Sequence, residues 1–487
     1  MCRILFSNLI LSVYINQAFV TTLTRYYIYC GCESIFHFLF RKFNYMETTF
    51  DTRDEYQRRA IAENLEALLD SKLDVSPLVI DGYWGTGKTE FSLKLYNLLS
   101  QNTEKRIVIY IDAFKEDHCE DPLLSITAAI ANVLPEKEKR ELIKKAVPAI
   151  KFGVKTALKA GAGWILRQNT DELTEEFQQA IKDTSNAAID GTIENLISEH
   201  MEAESNIKAL NNKLRELSAD KQIILIIDEL DRCRPTFAVE LLEKIKHIFD
   251  APNVNFILVA NLSQLKAAIN HVYGSSVDSQ NYLDKFIKYI VRLPETFKPD
   301  GFQAFHTSHT HWDILVEKST LTQSIRMALS ERIEEVINAR HLSLREIECL
   351  HRYLEIYQLF SKTPISDKQL YVYNLTRFLA VYTYCFGDKS KLRDAHSTET
   401  LNEIARVLNI EKIAVQDENS YSTPHYLVIF YGLIRGRKQL TTKFINPDDG
   451  SIEILNDLCE RMTRNDFSNF SFNKTFQATY DKLSLAI

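Results

Sequence analysis

The sequence predicts an α/β fold: a parallel sheet interrupted by a helical insertion and followed by an all-helical C-terminal domain. Three observations lead there. Four apolar runs of strand length, LVIDG, RIVIYIDAF, IILIIDEL and VNFILVAN, alternate with stretches of helical spacing, and near-continuous apolar strands of this kind belong to parallel sheets covered on both faces. The first run ends in a glycine-rich loop that opens into a helical pattern, FSLKLYNLLS. From about Lys298 onward the pattern is helical and rich in aromatics, with no further glycine loop and no nucleophile elbow.

Bulk properties narrow the class. A chain of 487 residues exceeds one small core, and roughly 150 residues per domain gives two or three domains. With 45% hydrophobic and 25% charged residues, it lies far from the composition of disordered chains. A net charge of -7 gives no general electrostatic reason to bind nucleic acid. The eight cysteines are scattered, without a CxxC pair, which fits a reducing cytoplasmic compartment. His306, His309 and His311 lie close in sequence but lack a thiolate or carboxylate at ligand spacing, so they read as surface histidines.

Residues 1–45 stand apart, with few acids and many aromatics. Three explanations compete for this N-terminal extension. A secretory signal needs a clean apolar middle, and a membrane anchor needs ~20 apolar residues; Asn8, Asn16 and Gln17 interrupt both. The third is a translation start at Met46, where ordinary composition begins, and it is the one favoured. Ile61, Leu65, Leu68 and Leu69 then mark an amphipathic helix. The expected division is 46–114 as the first part of the sheet domain, 115–220 as the helical insertion, 221–297 as the second part, and 298–487 as the helical C-terminal domain. Inside the insertion, Lys151, Lys155 and Lys159 make one helix face basic beside Ile150, Val154, Leu158 and Trp164. Such a face suits either solvent or peripheral contact with a membrane surface. Ile207, Leu210, Leu214 and Leu217 form a heptad-like stripe too short for a coiled coil.

The chemistry concentrates at the strand ends. Gly82, Tyr83, Trp84, Gly85, Thr86, Gly87, Lys88 and Thr89 match G-x-x-x-x-G-K-[ST] in full, between a strand and a helix. Backbone N–H groups of such a loop cradle phosphates at a helix N-terminus. Lys88 is placed for the β- and γ-phosphates, and Thr89 for Mg2+. The sequence is therefore expected to bind ATP in a P-loop. IILII ends in Asp228, the expected second magnesium residue, and Glu229 follows it as the carboxylate that accepts a proton from, or orients, the attacking water. Asp231 reads as a helix cap or an accessory acid. Asn261 ends the next apolar run and suits either a polarising contact to that water or the γ-phosphate, or a turn. Arg232, Arg234, Arg292 and Arg345 are the candidates for the cation that completes the site.

These residues resemble the KAP family of P-loop NTPases. The resemblance runs through DEYQRRAIAENLEALL, DGYWGTGKT, IIDELDRCRPTFAVELLEKIKHIF, YLDKFIKYIVRLP and LSLREIECL, in family order from about Asp51 to Leu350. It implies a core of the additional-catalytic-acid class, with Glu229 beside Asp228, and Arg345 as a nucleotide-sensing arginine. It also implies assembly into homo-oligomers, and for some bacterial members a part in phage exclusion or defence. Many members carry transmembrane helices between the two nucleotide motifs; here the lysines leave no uncharged run of ~18 residues in the insertion.

The expected activity is Mg-dependent ATP hydrolysis driving a conformational switch on an unidentified protein partner. ATP is favoured over GTP because no N-K-x-D sequence follows the fourth strand. The rival is a nucleotide-stabilised scaffold with little turnover, against which Glu229 argues. A third idea, a nucleic-acid motor, lacks a basic track.

Overall fold

The computed structural model describes residues 48–146 and 207–485, apart from 72, 119–120, 249–250, 300, 302–303, 414, 416–422, 447–449 and 465–469. The N-terminal extension 1–45 and the basic face of Lys151, Lys155 and Lys159 lie outside the described residues.

Five strands, β1 (Leu78–Asp81), β2 (Arg106–Asp112), β3 (Gln222–Asp228), β4 (Val254–Ala260) and β5 (Tyr289–Arg292), form one parallel sheet in the order β2-β3-β4-β1-β5. The glycine-loop strand β1 and the acid-bearing strand β3 are not neighbours, because β4 pairs with both. The fifth strand is absent from the sequence reading for a physical reason. Its sequence YIVR lies at the sheet edge and stays largely exposed, so it carries no long apolar run. The registers bring the C-terminal ends level. Asp81 pairs with Ala260 and Arg292, and Asp112 pairs with Asp228. The chemistry-bearing residues thus emerge along one rim, where open parallel sheets bind ligands.

Side chains alternate between two cores. Leu78, Ile80, Ile224, Ile226, Ile257 and Val259 pack against helices α1 (Arg59–Asp70) and α2 (Lys88–Leu99). Val79, Ile223, Leu225, Ile227 and Leu258 face α3 (Pro122–Val133), α4 (Pro235–Ile248) and α5 (Leu262–Tyr273) on the other side. Each such side chain contributes ~1.5–3 kcal/mol on burial, which is why both strand faces are apolar. Leu210 and Leu214 of the heptad-like stripe join this second core, with Ile207 and Leu217 packed against it. The stripe is therefore explained by the sheet domain's own packing.

A two-residue antiparallel pair, Thr296–Phe297 with Phe305–His306, leads into the helical C-terminal region. Its core centres on α6 (Leu344–Phe360), α7 (Tyr371–Phe386) and α8 (Phe472–Leu483), which bury Leu350, Leu354, Phe378, Phe476 and Tyr480. Helix α6 starts at a capping box: Glu346 N–H donates to Ser343 Oγ at 3.3 Å, and Ser343 N–H donates to Glu346 Oε2 at 2.9 Å. Among the described residues, no helix is long and apolar enough to cross a membrane.

Candidate functional site

The glycines of the loop are required by both conformation and space. Gly85 and Gly87 hold φ of +77° and +80°, left-handed values that cost other residues ~1–2 kcal/mol. A Cβ on Gly85 would lie 2.9 Å from Arg345 Cβ and 2.9 Å from Ser343 Oγ. One on Gly82 would lie 2.7 Å from Thr86 Oγ1. The loop is thus pressed against the first turn of α6, and the N–H of Leu344 donates to Gly85 O at 2.9 Å. Gly85→Ala is expected to cost about 2 kcal/mol of stability, read as a lower urea midpoint.

Beneath the loop lies a residue that sequence reasoning missed. Arg58, only 4% exposed, donates from Nη1 to Thr86 O at 2.9 Å and from Nη2 to Pro294 O at 3.3 Å. Burial holds its guanidinium below the usual arginine range, opposed by Tyr56 and the carboxylates of Glu90, Glu55 and Asp54. Nothing in the local pattern EYQRRAIAEN separates Arg58 from its exposed neighbour Arg59.

Lys88 opens α2 and is 9% exposed. Its ammonium donates to Gly82 O at 2.6 Å and Tyr83 O at 3.2 Å. Burial lowers its affinity for the proton, while Asp231, Asp228 and Asp81 act in the opposite direction. Lys88 is therefore a cation held among three carboxylates at the loop.

Asp228 is 2% exposed at the end of β3. Tyr110 OH donates to its Oδ2 at 2.7 Å, and Glu229 N–H donates to its Oδ1 at 2.8 Å. Burial pushes this carboxyl above the usual range, against hydrogen bonds from Tyr110, the Glu229 amide and the Thr89 hydroxyl. The Thr89–Asp228 contact joins the glycine-loop helix to β3 across 139 residues of sequence, the difference between the two numbers. Tyr110 also contacts Ser92 Oγ at 3.1 Å, and Ser92 Oγ donates to Thr89 O at 2.9 Å. Tyr110 escaped the sequence reading because it looks like any apolar residue of RIVIYID.

Glu229 takes a left-handed conformation, φ 58° and ψ 28°. This turn ends the strand and points Asp228 and Glu229 in different directions, at a cost a non-glycine residue normally avoids. Burial raises its carboxyl, Arg232 lowers it, and Asp228 and Asp112 raise it further. Arg232 Nη2 pairs with Glu229 Oε1 at 3.0 Å. Asp112, also unassigned from sequence, stands opposite Asp228 in the sheet; its signal was an acid closing an apolar run, the same pattern as IILIID.

The remaining residues divide cleanly. Asp231 accepts from Trp84 Nε1 at 2.8 Å, bridging the loop to the turn after β3. Asn261, 5% exposed, caps α5 by accepting from Ser263 N–H at 3.0 Å. Its Oδ1 is thereby engaged, and its amide nitrogen is the group that can donate. Arg234 is tied to Asp117 at 3.1 Å, Arg292 pairs with Asp81 at 3.3 Å with its side chain 81% exposed, and the Arg345 Cβ lies against the Gly85 turn. His311 bonds Tyr56 OH at 2.9 Å through Nδ1, and the His306 and His309 rings lie 5.5 Å apart.

A parallel sheet of this strand order, with a glycine loop after β1 and an acid pair after β3, defines a P-loop NTPase. The chain belongs to the KAP family: the model of the KAP family P-loop domain matches residues 58–360. It is also similar to the phage T7 exclusion protein of Escherichia coli (strain K12), 24% identical over an alignment of 271 residues that covers 51% of this chain and 34% of that protein. The alignment thus spans about a third of that relative's length.

Proposed function

We propose that this chain is a Mg-dependent ATPase whose nucleotide state switches the conformation of its helical parts and thereby controls a partner protein in phage defence. The observation that carries the reading is the contact of Thr89 with Asp228 beside Glu229. A hydroxyl and a buried carboxylate facing each other suit a divalent cation with oxygen preference. Bound Mg2+ would neutralise charge on the β- and γ-phosphates. Loop amides from Gly85 to Thr89 and the Lys88 ammonium hold the phosphates; Tyr83 and Trp84 shape the loop's outer wall. Glu229 accepts the proton of the attacking water as the bond from the γ-phosphorus to the bridging oxygen breaks and ADP leaves. Asn261 donates its amide to that water or to the γ-phosphate.

Two observations support the switch. Gly85 O receives the first N–H of α6, so the loop and the helical region move together. Trp84 reaches Asp231, so the loop also senses the turn after β3. The similarity to a phage T7 exclusion protein supports a part in phage defence. In this reading the protein works in the cytoplasm and assembles into homo-oligomers, with exposed Arg292 the arginine best placed to face a neighbouring copy.

The deciding experiment is Mg-dependent phosphate release by the wild-type chain beside Lys88→Ala. Turnover lost with Lys88 supports the ATPase. Equal release by both chains overturns it. Retained ATP binding without turnover in wild type favours the scaffold, to which the Glu229–Arg232 ion pair lends support by holding the carboxylate away from water.

Tyr110→Phe tests the metal. Removing this hydrogen bond takes away an interaction that lowers the Asp228 carboxyl, so protons compete with Mg2+ at higher pH. The Mg2+ concentration for half-maximal activity should rise ~10-fold, more as pH falls, while the fold remains intact by circular dichroism.

A further inference from the structure

A second set of cations, unused by the nucleotide site, gathers in the helical region. Arg377 on α7 is 7% exposed, and its Nη1 is buried with no hydrogen-bond partner. Its guanidinium lies 5.3 Å from the Tyr373 ring centre, a contact that uses the ring face and leaves that N–H group unanswered. The side chain borders a cavity of about 230 Å³ shared with Tyr357, Thr363, Lys474, Thr475 and Lys482. Among the described residues lining it, none carries a carboxylate.

Lys482 reaches Ser361 Oγ at 3.2 Å and stands 5.9 Å from the Tyr357 ring centre. Burial, then the charges of Arg377 and Lys362, hold its ammonium below the usual lysine range. Lys474 enters from the first turn of α8, whose N-terminal amides add positive potential. Like charges brought together in a half-closed pocket repel, and the Arg377 Nη1 group is desolvated without a hydrogen-bond acceptor to offset the cost. An anion removes both penalties.

We propose that this cavity is a ligand site, separate from the glycine loop, for a small phosphate-bearing anion. The arginine fork matches oxygen pairs of phosphate, and the hydroxyls of Thr363 and Thr475 line the same wall. Its volume falls below the ~300–1,000 Å³ of pockets for drug-sized ligands. That size fits phosphate or a short phosphomonoester rather than a whole nucleotide.

The test uses the full chain carrying Lys88→Ala, which removes the main phosphate cation of the glycine loop, titrated calorimetrically with inorganic phosphate and with glycerol phosphate. Saturable binding is expected, weakened at least ~10-fold on adding Arg377→Met. Stronger binding of glycerol phosphate than of phosphate identifies a phosphomonoester as the ligand, and the reverse identifies the free ion. Without phosphate, Arg377→Met should melt no lower than its parent, because a buried N–H group without an acceptor has gone; phosphate should then raise the parent's melting temperature alone. If Arg377→Met fails to fold, exposed Lys474→Gln carries the titration. Equal phosphate affinity in parent and variant, or no binding by the parent, overturns the proposal.

Discussion

A chain carrying Glu229→Gln is expected to bind ATP as tightly as wild type and to hydrolyse it ~10²–10⁴-fold more slowly, the range that a positioned proton acceptor contributes. Glutamine keeps the size and the left-handed backbone of Glu229 while losing the proton acceptor. Asp228, the Thr89 hydroxyl and Lys88 are untouched, so affinity should hold. Trapped nucleotide is measured by filtration after a single turnover, and phosphate release by a coupled assay. An unchanged rate would remove Glu229 from its assigned role. The same substitution frees Arg232 from its ion pair, so Arg232→Ala serves as control: it should leave turnover equal or higher if Arg232 merely restrains Glu229, and lower if Arg232 meets the γ-phosphate.

The second large effect falls on stability. Arg58→Met should cost about 4 kcal/mol, because two charge-assisted hydrogen bonds are lost and the carbonyls of Thr86 and Pro294 lose their donors. These carbonyls belong to the phosphate loop and to the segment after β5, so ATP affinity should fall together with the urea midpoint. Arg58→Lys should rescue only part of the loss, since one ammonium cannot serve both carbonyls with the geometry of a fork. Loss of stability without loss of ATP affinity would show that Arg58 supports the fold alone.

The glycine loop and the acid pair were legible because their chemistry demands fixed spacing within one short segment. Four strands were legible because burial on both faces makes them continuously apolar. What escaped depends on pairing across the sheet. That β4 lies between β1 and β3, that Asp112 meets Asp228, and that Tyr110 turns its hydroxyl onto that carboxylate are facts of strand order and register, which local periodicity does not encode. Arg58 escaped for the same reason: its partners lie 28 and 236 residues away. Asn261 was readable as a residue of two uses, and its capping bond is the one the geometry displays.

The strand order also separates the chain's two additions. The stretch between β2 and β3 leaves from one margin of the sheet, and everything after β5 leaves from the other. The first margin tolerates chain length cheaply: helical ends at 136–146 and 207–217 rejoin the core, and each doubling of the chain between them adds only ~0.6 kcal/mol of closure entropy. The second margin has no such freedom, because α6 rests on Gly85, and any change of its docking angle is a change in the nucleotide site itself.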